Sequence, residues 1–121
     1  MMKRVIPIII FCLSVIQMAL AQITYSPELL QKAKDGDAEA QLNLGWSYRD
    51  GIGIRQDYKE AIKWYKKAAK QDYARAIRNV GLCYLNGIGV EKDEKEGVKW
   101  ISKAIEKRVP CFQNQFSLLL S

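Results

Sequence analysis

Histidine is absent from the 121 residues, and cysteine and proline occur only three times each. Without imidazole there is no Ser/His or Cys/His nucleophile pair, no His-containing zinc site and no histidine acid–base step. Past residue 23 no run of β-branched residues alternates with a period of two, so no sheet is expected. Apolar residues make up 49% and charged residues 26% of the chain, the balance of a globular rather than a disordered protein. The length fits one small domain.

The first segment stands apart from the rest. Met1-Met2-Lys3-Arg4 is a short basic start, followed by a mostly apolar run from Val5 to Leu20 interrupted by Ser14 and Gln17. Ala19-Leu20-Ala21 then sets small residues where a signal peptidase accepts them, and the run is short for a spanning helix. A signal peptide cleaved after Ala21 is expected, and with it a secreted or periplasmic protein. An uncleaved anchor reaching Ile23 is the alternative, and only then would the membrane be a partner. Cys12 lies mid-run without small residues before it, which argues against a lipoprotein. Cleavage leaves 17 basic and 13 acidic side chains, a net charge of +4, too modest to indicate nucleic-acid binding.

The remainder repeats itself. Laid over residues 73–108 without gaps, residues 37–72 show 15 identities in 36 positions, against about two by chance at ordinary residue frequencies. Gly45, Tyr48, Gly51, Gly53, Asp57 and Trp64 recur as Gly81, Tyr84, Gly87, Gly89, Asp93 and Trp100. A period of this size marks stacked supersecondary units.

Each unit reads as helix–loop–helix. Ala40, Leu44 and Tyr48 share one i, i+4 stripe. Gly51-Ile52-Gly53 stops the helix, because glycine takes the left-handed conformation a C-terminal stop needs. Asp57 with Glu60 is a variant capping box that starts the second helix at Tyr58. Gly45 and Gly81 clear space where the facing helix comes close, and Trp64 and Trp100 fill the core.

These residues resemble the Sel-1-like repeat family, relatives of the tetratricopeptide repeat. The G-x-G loop, the tryptophan of the second helix and the period longer than 34 residues carry the resemblance. It covers residues 31–108. It implies an all-α fold: a right-handed α-α superhelix, or tetratricopeptide-like solenoid, of two full helix–loop–helix repeats with flanking capping helices. It also implies a protein–protein adaptor, often exported. The expected division is a signal peptide (1–21), a linker and N-terminal capping helix (22–36), repeats at 37–72 and 73–108, and a C-terminal capping helix or truncated third repeat (109–121). Gly97, Ile101 and Arg78 replace Ala61, Tyr65 and Leu42, so looser packing is expected in the second unit.

The ends differ from the repeats. Ser26-Pro27-Glu28 reads as N-cap, first-turn proline and first-turn acid of a short helix through Ala33. Phe112, Phe116, Leu118, Leu119 and Leu120 are apolar without the Ala/Gly pattern. They read as a cap or, alternatively, as an end that recruits a second copy into a homodimer. In ideal register Cys83 and Cys111 lie about 12 Å apart in helix rise, beyond the roughly 7 Å that a disulfide tolerates.

On the first helices, Asn43, Trp46 and Asp50 miss the core stripes, as do Asn79, Leu82 and Asn86 one period later. An apolar pair framed by amides and charge suits a partner-binding surface on the inner curve of a superhelix, open to a protein or peptide. The alternative is that Trp46 packs under the N-terminal helix. Lysines 59, 63, 66, 67 and 70, and then 95, 99, 103 and 107, read as a solvated outer face. The G-I-G loops lack the third glycine and preceding strand of a dinucleotide site, and no metal-ligand cluster or cofactor motif occurs. The expected function is an exported, non-enzymatic protein-interaction module. An envelope enzyme acting on cell-wall fragments, which the resemblance also suggests, is the rival, but the nucleophiles it would need, Ser47, Ser102 and Cys83, all lack a general-base neighbour in the sequence. A membrane-tethered structural protein with an uncleaved leader is the third reading.

Overall fold

Short polar side chains and left-handed glycines set the ends of the helices. The computed structural model describes residues 8–16 and 24–108, with six helices and no strand among them. They are α1 (8–16), α2 (Pro27–Lys34), α3 (Ala38–Asp50), α4 (Tyr58–Ala69), α5 (Ala74–Asn86) and α6 (Glu94–Arg108). The apolar side chains of α1, Phe11 among them, are exposed. Among the described residues no helix is long and apolar enough to cross a membrane. The leader's cleavage site, the C-terminal cap or dimer end and Cys111 lie outside the described residues.

Ser26 caps α2 by accepting the Leu29 amide at 3.0 Å, with Pro27 in the first turn where a missing N–H is harmless. Asp37 caps α3 through the Ala40 amide at 3.0 Å. Asp57 accepts from the amides of Lys59 and Glu60, and Asp93 from that of Glu96. Gly51 and Gly87 end α3 and α5 at φ of 68°, where a side chain would meet the following carbonyl.

The capping box is completed differently from expectation. The Asp57 and Asp93 amides donate to the carbonyls of Tyr48 and Tyr84, each at 2.8 Å. Glu60 pairs with Lys63 instead, and Glu96 accepts from Trp100 Nε1 at 3.0 Å. Each loop is thus tied back onto its own first helix. Asp57→Ala and Asp93→Ala should each lower stability by about 1 kcal/mol, read as a fall in urea midpoint with unchanged slope.

Two apolar clusters hold the stack. Trp64 packs with Leu29, Ala33, Ala40 and Leu44, so α2 covers the front of the first unit. Tyr65, Ile62 and Ala69 of α4 join Ala76, Ile77 and Val80 of α5 across the seam between units. The tryptophans pack as expected: Trp64 is buried, and half-buried Trp100 lies against the second cluster.

The second unit is not the looser one at its crossing. A Cβ on Gly81 would stand 3.0 Å from the Gly97 carbonyl oxygen, and one on Gly97 would stand 3.0 Å from that of Gly81. The two glycines let the backbones of α5 and α6 approach reciprocally. In the first unit Gly45 instead makes room for the Tyr65 ring, whose Cδ1 would lie 2.6 Å from an added Cβ. Loss of bulk at Gly97 and Ile101 is met by closer approach.

Polar side chains fasten the corners between units. Gln71 Nε2 donates to the Gly36 carbonyl at 2.8 Å and to Gln41 Oε1 at 3.0 Å, while Gln41 Nε2 donates to the Ala33 carbonyl. One period later Lys107 Nζ meets Asp72 Oδ2 at 3.4 Å. Gly36 and Asp72 occupy the same corner, both at positive φ.

Candidate functional site: the face of α3 and α5

The two first helices have the same length and the same left-handed stop, so equivalent positions fall at the same level along each helix. Exposed Glu39, half-buried Asn43 and Trp46, and exposed Asp50 run along α3. Their counterparts on α5 are Arg75, Asn79, Leu82 and Asn86. The rows meet where the Arg75 guanidinium carbon lies 5.7 Å from the Trp46 ring centroid, a cation–π distance. Trp46 packs against the cluster shared by the two units, not against the one beneath α2. Trp46 is therefore partly committed to the core and to its guanidinium neighbour.

The six expected contact residues fall into different environments. Leu82, at 37% exposure, is an apolar side chain open to solvent, and Asn86 is exposed. Asp50 is exposed but engaged: Arg49 donates to it through Nε at 2.8 Å and Nη2 at 2.9 Å. That fork holds the Asp50 carboxyl below its ordinary range. Asn43 is half-buried, and its carbonyl accepts from Ser47 Oγ at 3.1 Å. Asn79 corrects the expectation of a surface amide. It is 4% exposed, and its Nδ2 has no hydrogen-bond partner. An asparagine at a helical position next to a stripe reads as surface from sequence; in the fold it is buried.

The face carries a charge gradient that the sequence reading passed over. A hollow of about 310 Å³ between α2 and α3 is lined by Glu28, Asp37 and Glu39 against a single lysine, Lys32. Another, of about 640 Å³ between α5 and α6, is lined by Arg75, Arg78 and Arg108 around Ile101, Ala104 and Ile105. The signal was available in two substitutions at equivalent positions, Glu39 to Arg75 and Leu42 to Arg78.

The lysine-rich face is solvated, and several of its ammonium groups cover aromatic rings. Lys67 and Lys103 lie 4.1 Å and 5.6 Å from the Trp64 and Trp100 centroids, and Lys66 donates to the Tyr84 hydroxyl at 3.0 Å. Of the nucleophiles the enzymatic rival needs, Ser47 and Cys83 are buried in the core. Burial pushes the Cys83 thiol up to about 11 despite nearby Arg49 and Lys66, so it is a thiol and not a thiolate at neutral pH. Ser102 is exposed on α6. Among the described residues no cluster of three His, Cys, Asp or Glu side chains is placed to hold a metal.

Known proteins resemble this chain over the same residues. A sel1-like repeat-containing protein of Acanthamoeba polyphaga mimivirus is 48% identical over 40 residues, 33% of this chain and 7% of that protein. The secretory immunoglobulin A-binding protein EsiB of Escherichia coli O6:H1 is 42% identical over 41 residues, 34% of this chain and 8% of that protein. This chain therefore aligns with under a tenth of either curated relative's length. Among solved structures, a Sel1 repeat protein from Oxalobacter formigenes superposes with a TM-score of 0.62 at 44% identity, over 65% of this chain and 32% of that one. A protective antigen of uropathogenic Escherichia coli displaying an SLR fold superposes with a TM-score of 0.66 at 39% identity, over 76% and 20%. The Sel1 repeat profile matches residues 38–73 and again 74–108. The chain is a member of the Sel1 repeat family, an all-α solenoid whose fold generally serves protein–protein interaction and is typically non-catalytic.

Proposed function

We propose that the chain is an exported adaptor, cleaved after Ala21, that grips an extended segment of another protein along the α3/α5 face. The observation that carries this reading is the Arg75 guanidinium over the Trp46 ring, on the same helix as solvent-open Leu82. An aromatic and an aliphatic side chain flanked by guanidinium groups form an anchor with a polar rim. The fitting partner segment places an apolar residue over Leu82 and Trp46 and a carboxylate toward Arg75 and Arg78. Parallel first helices line the inner curve in solenoids of this kind, which suits an extended ligand. A relative named for binding secretory immunoglobulin A supports the class of ligand, a protein.

The test is selection of a random-peptide library on the purified chain. Apolar–acidic segments should be enriched, and Leu82→Glu together with Arg75→Glu should weaken the selected peptides at least tenfold. Both positions are exposed, so the folded signal should persist. Unchanged affinity in that variant removes the α3/α5 reading. N-terminal sequencing of exported material beginning at Gln22 would support the leader; Met1 would overturn it.

A further inference from the structure

Charge and apolar surface on α6 are arranged about one residue. Along the helix run Glu94, Val98, Ile101, Ile105 and Arg108, separated alternately by four and three positions, the spacing of a two-helix seam. Val98 is 58% and Ile105 is 61% exposed, whereas the equivalent side chains of α4, Ile62 and Ala69, are buried in the cluster shared with α5. Ile101 is half-buried. Glu94 and Arg108 each stand seven residues from it, on opposite sides, about 10 Å of rise.

The two halves of the helix also differ in charge. The first turn carries Glu94 and Glu96, and the last turn carries Lys107 and Arg108. Beside the second half, Arg75 and Arg78 of α5 line the hollow that holds Ile101, Ile105 and Arg108. Among the described residues no carboxylate pairs with Arg78 or Arg108. Glu94 meets only Lys92, at 3.6 Å between two exposed side chains, a contact weak enough to exchange.

A second copy of α6 matches this pattern when it runs antiparallel about a two-fold axis at Ile101. The two Ile101 side chains then meet at the axis, flanked by Val98 and Ile105 of both copies. Each Glu94 comes level with the Arg108 of the other copy, and the helix dipoles oppose one another. A parallel pair would set Glu94 on Glu94 and Arg108 on Arg108, so charge selects against it. The acidic hollow at the front of the stack also offers opposite charge, but α2 has no exposed large apolar side chain to cover Val98 and Ile105.

We infer that α6 is a self-association surface, through which two chains pair with Ile101 on the axis and a Glu94–Arg108 ion pair at each end. The same patch serves both copies, so the assembly closes at two. The seam is one helix of 15 residues long, about 22 Å, which places it among small interfaces. The dimer is accordingly weak, with a dissociation constant of about 10–100 µM. It needs neither Trp46 nor Leu82 and does not rest on the binding reading above.

Sedimentation equilibrium of the full chain, from roughly 1 to 500 µM, tests this and should show one monomer–dimer equilibrium that weakens with salt. Glu94→Arg and Arg108→Glu should each weaken pairing by about tenfold or more, because each sets like charges at both ends. The double variant should recover the parent affinity, and the two single variants mixed should pair with each other in preference to themselves. Both positions are exposed, so the helical signal should persist. A chain that stays monomeric throughout that range overturns the inference without any variant having to fold, as does growth beyond two copies. Pairing that ignores both single reversals, or that the double reversal fails to restore, also overturns it.

Discussion

Gly89→Ala is expected to destabilise the protein by at least about 3 kcal/mol, whereas Gly87→Ala should cost only about 1–2. Both glycines lie near φ of 70° in the same loop, so the conformational penalty of a side chain is shared. They differ in what a Cβ would meet. At Gly87 the nearest atom is Lys92 Cβ at 3.5 Å, an ordinary contact. At Gly89 the methyl would overlap the Tyr58 carbonyl oxygen and stand 2.7 Å from its carbon. That carbonyl belongs to the first turn of α4, so neither backbone can yield without opening the seam between units. Urea unfolding of the two variants side by side checks this, and equal losses would show that the loop does not press on α4.

Tyr65→Ala should be the most damaging core truncation, at about 3–5 kcal/mol. The ring has no solvent exposure and fills the space left by Gly45. Tyr65→Phe should be neutral or mildly stabilising, because the hydroxyl is buried without a hydrogen-bond partner. The pair separates loss of packing from loss of a polar group. The same burial holds the Tyr65 hydroxyl protonated well above its ordinary range. The unfolded chain ionises its tyrosines near pH 10, so above that pH it binds fewer protons than the native state and stability falls as pH rises. Tyr65→Phe should reduce this alkaline loss. A fall in stability equal to that of the parent would assign it to other groups, Cys83 first among them.

Helix ends and the repeat were legible because they depend on local chemistry. Ser26, Pro27, Gly51, Gly87 and Asp57 act on their own or adjacent turns, and each sits where its residue type dictates. What depended on neighbours distant in sequence was not legible. Gly97 looked like lost packing, and its meaning appears only once Gly81 is seen opposite. Asn79 sits at the edge of a helical stripe, where spacing along its own helix does not separate surface from core. Glu60 has the spacing of a capping box, but Tyr48 supplies the acceptor that its carboxylate would have supplied. The charge gradient along the α3/α5 face required comparing the units for their differences, whereas alignment draws attention to their identities.

The corner contacts bear on how such a chain can grow. Gln71 reaches back to Gly36, and Lys107 reaches back to Asp72. Each corner is therefore latched by the unit that begins after it, with different atoms doing the latching each time. A duplicated 36-residue cassette spliced in after Asp72 would bring its own latch and find a compatible corner on both sides. Length can then change in whole steps through tandem duplication, while the latching side chains diverge freely from one copy to the next.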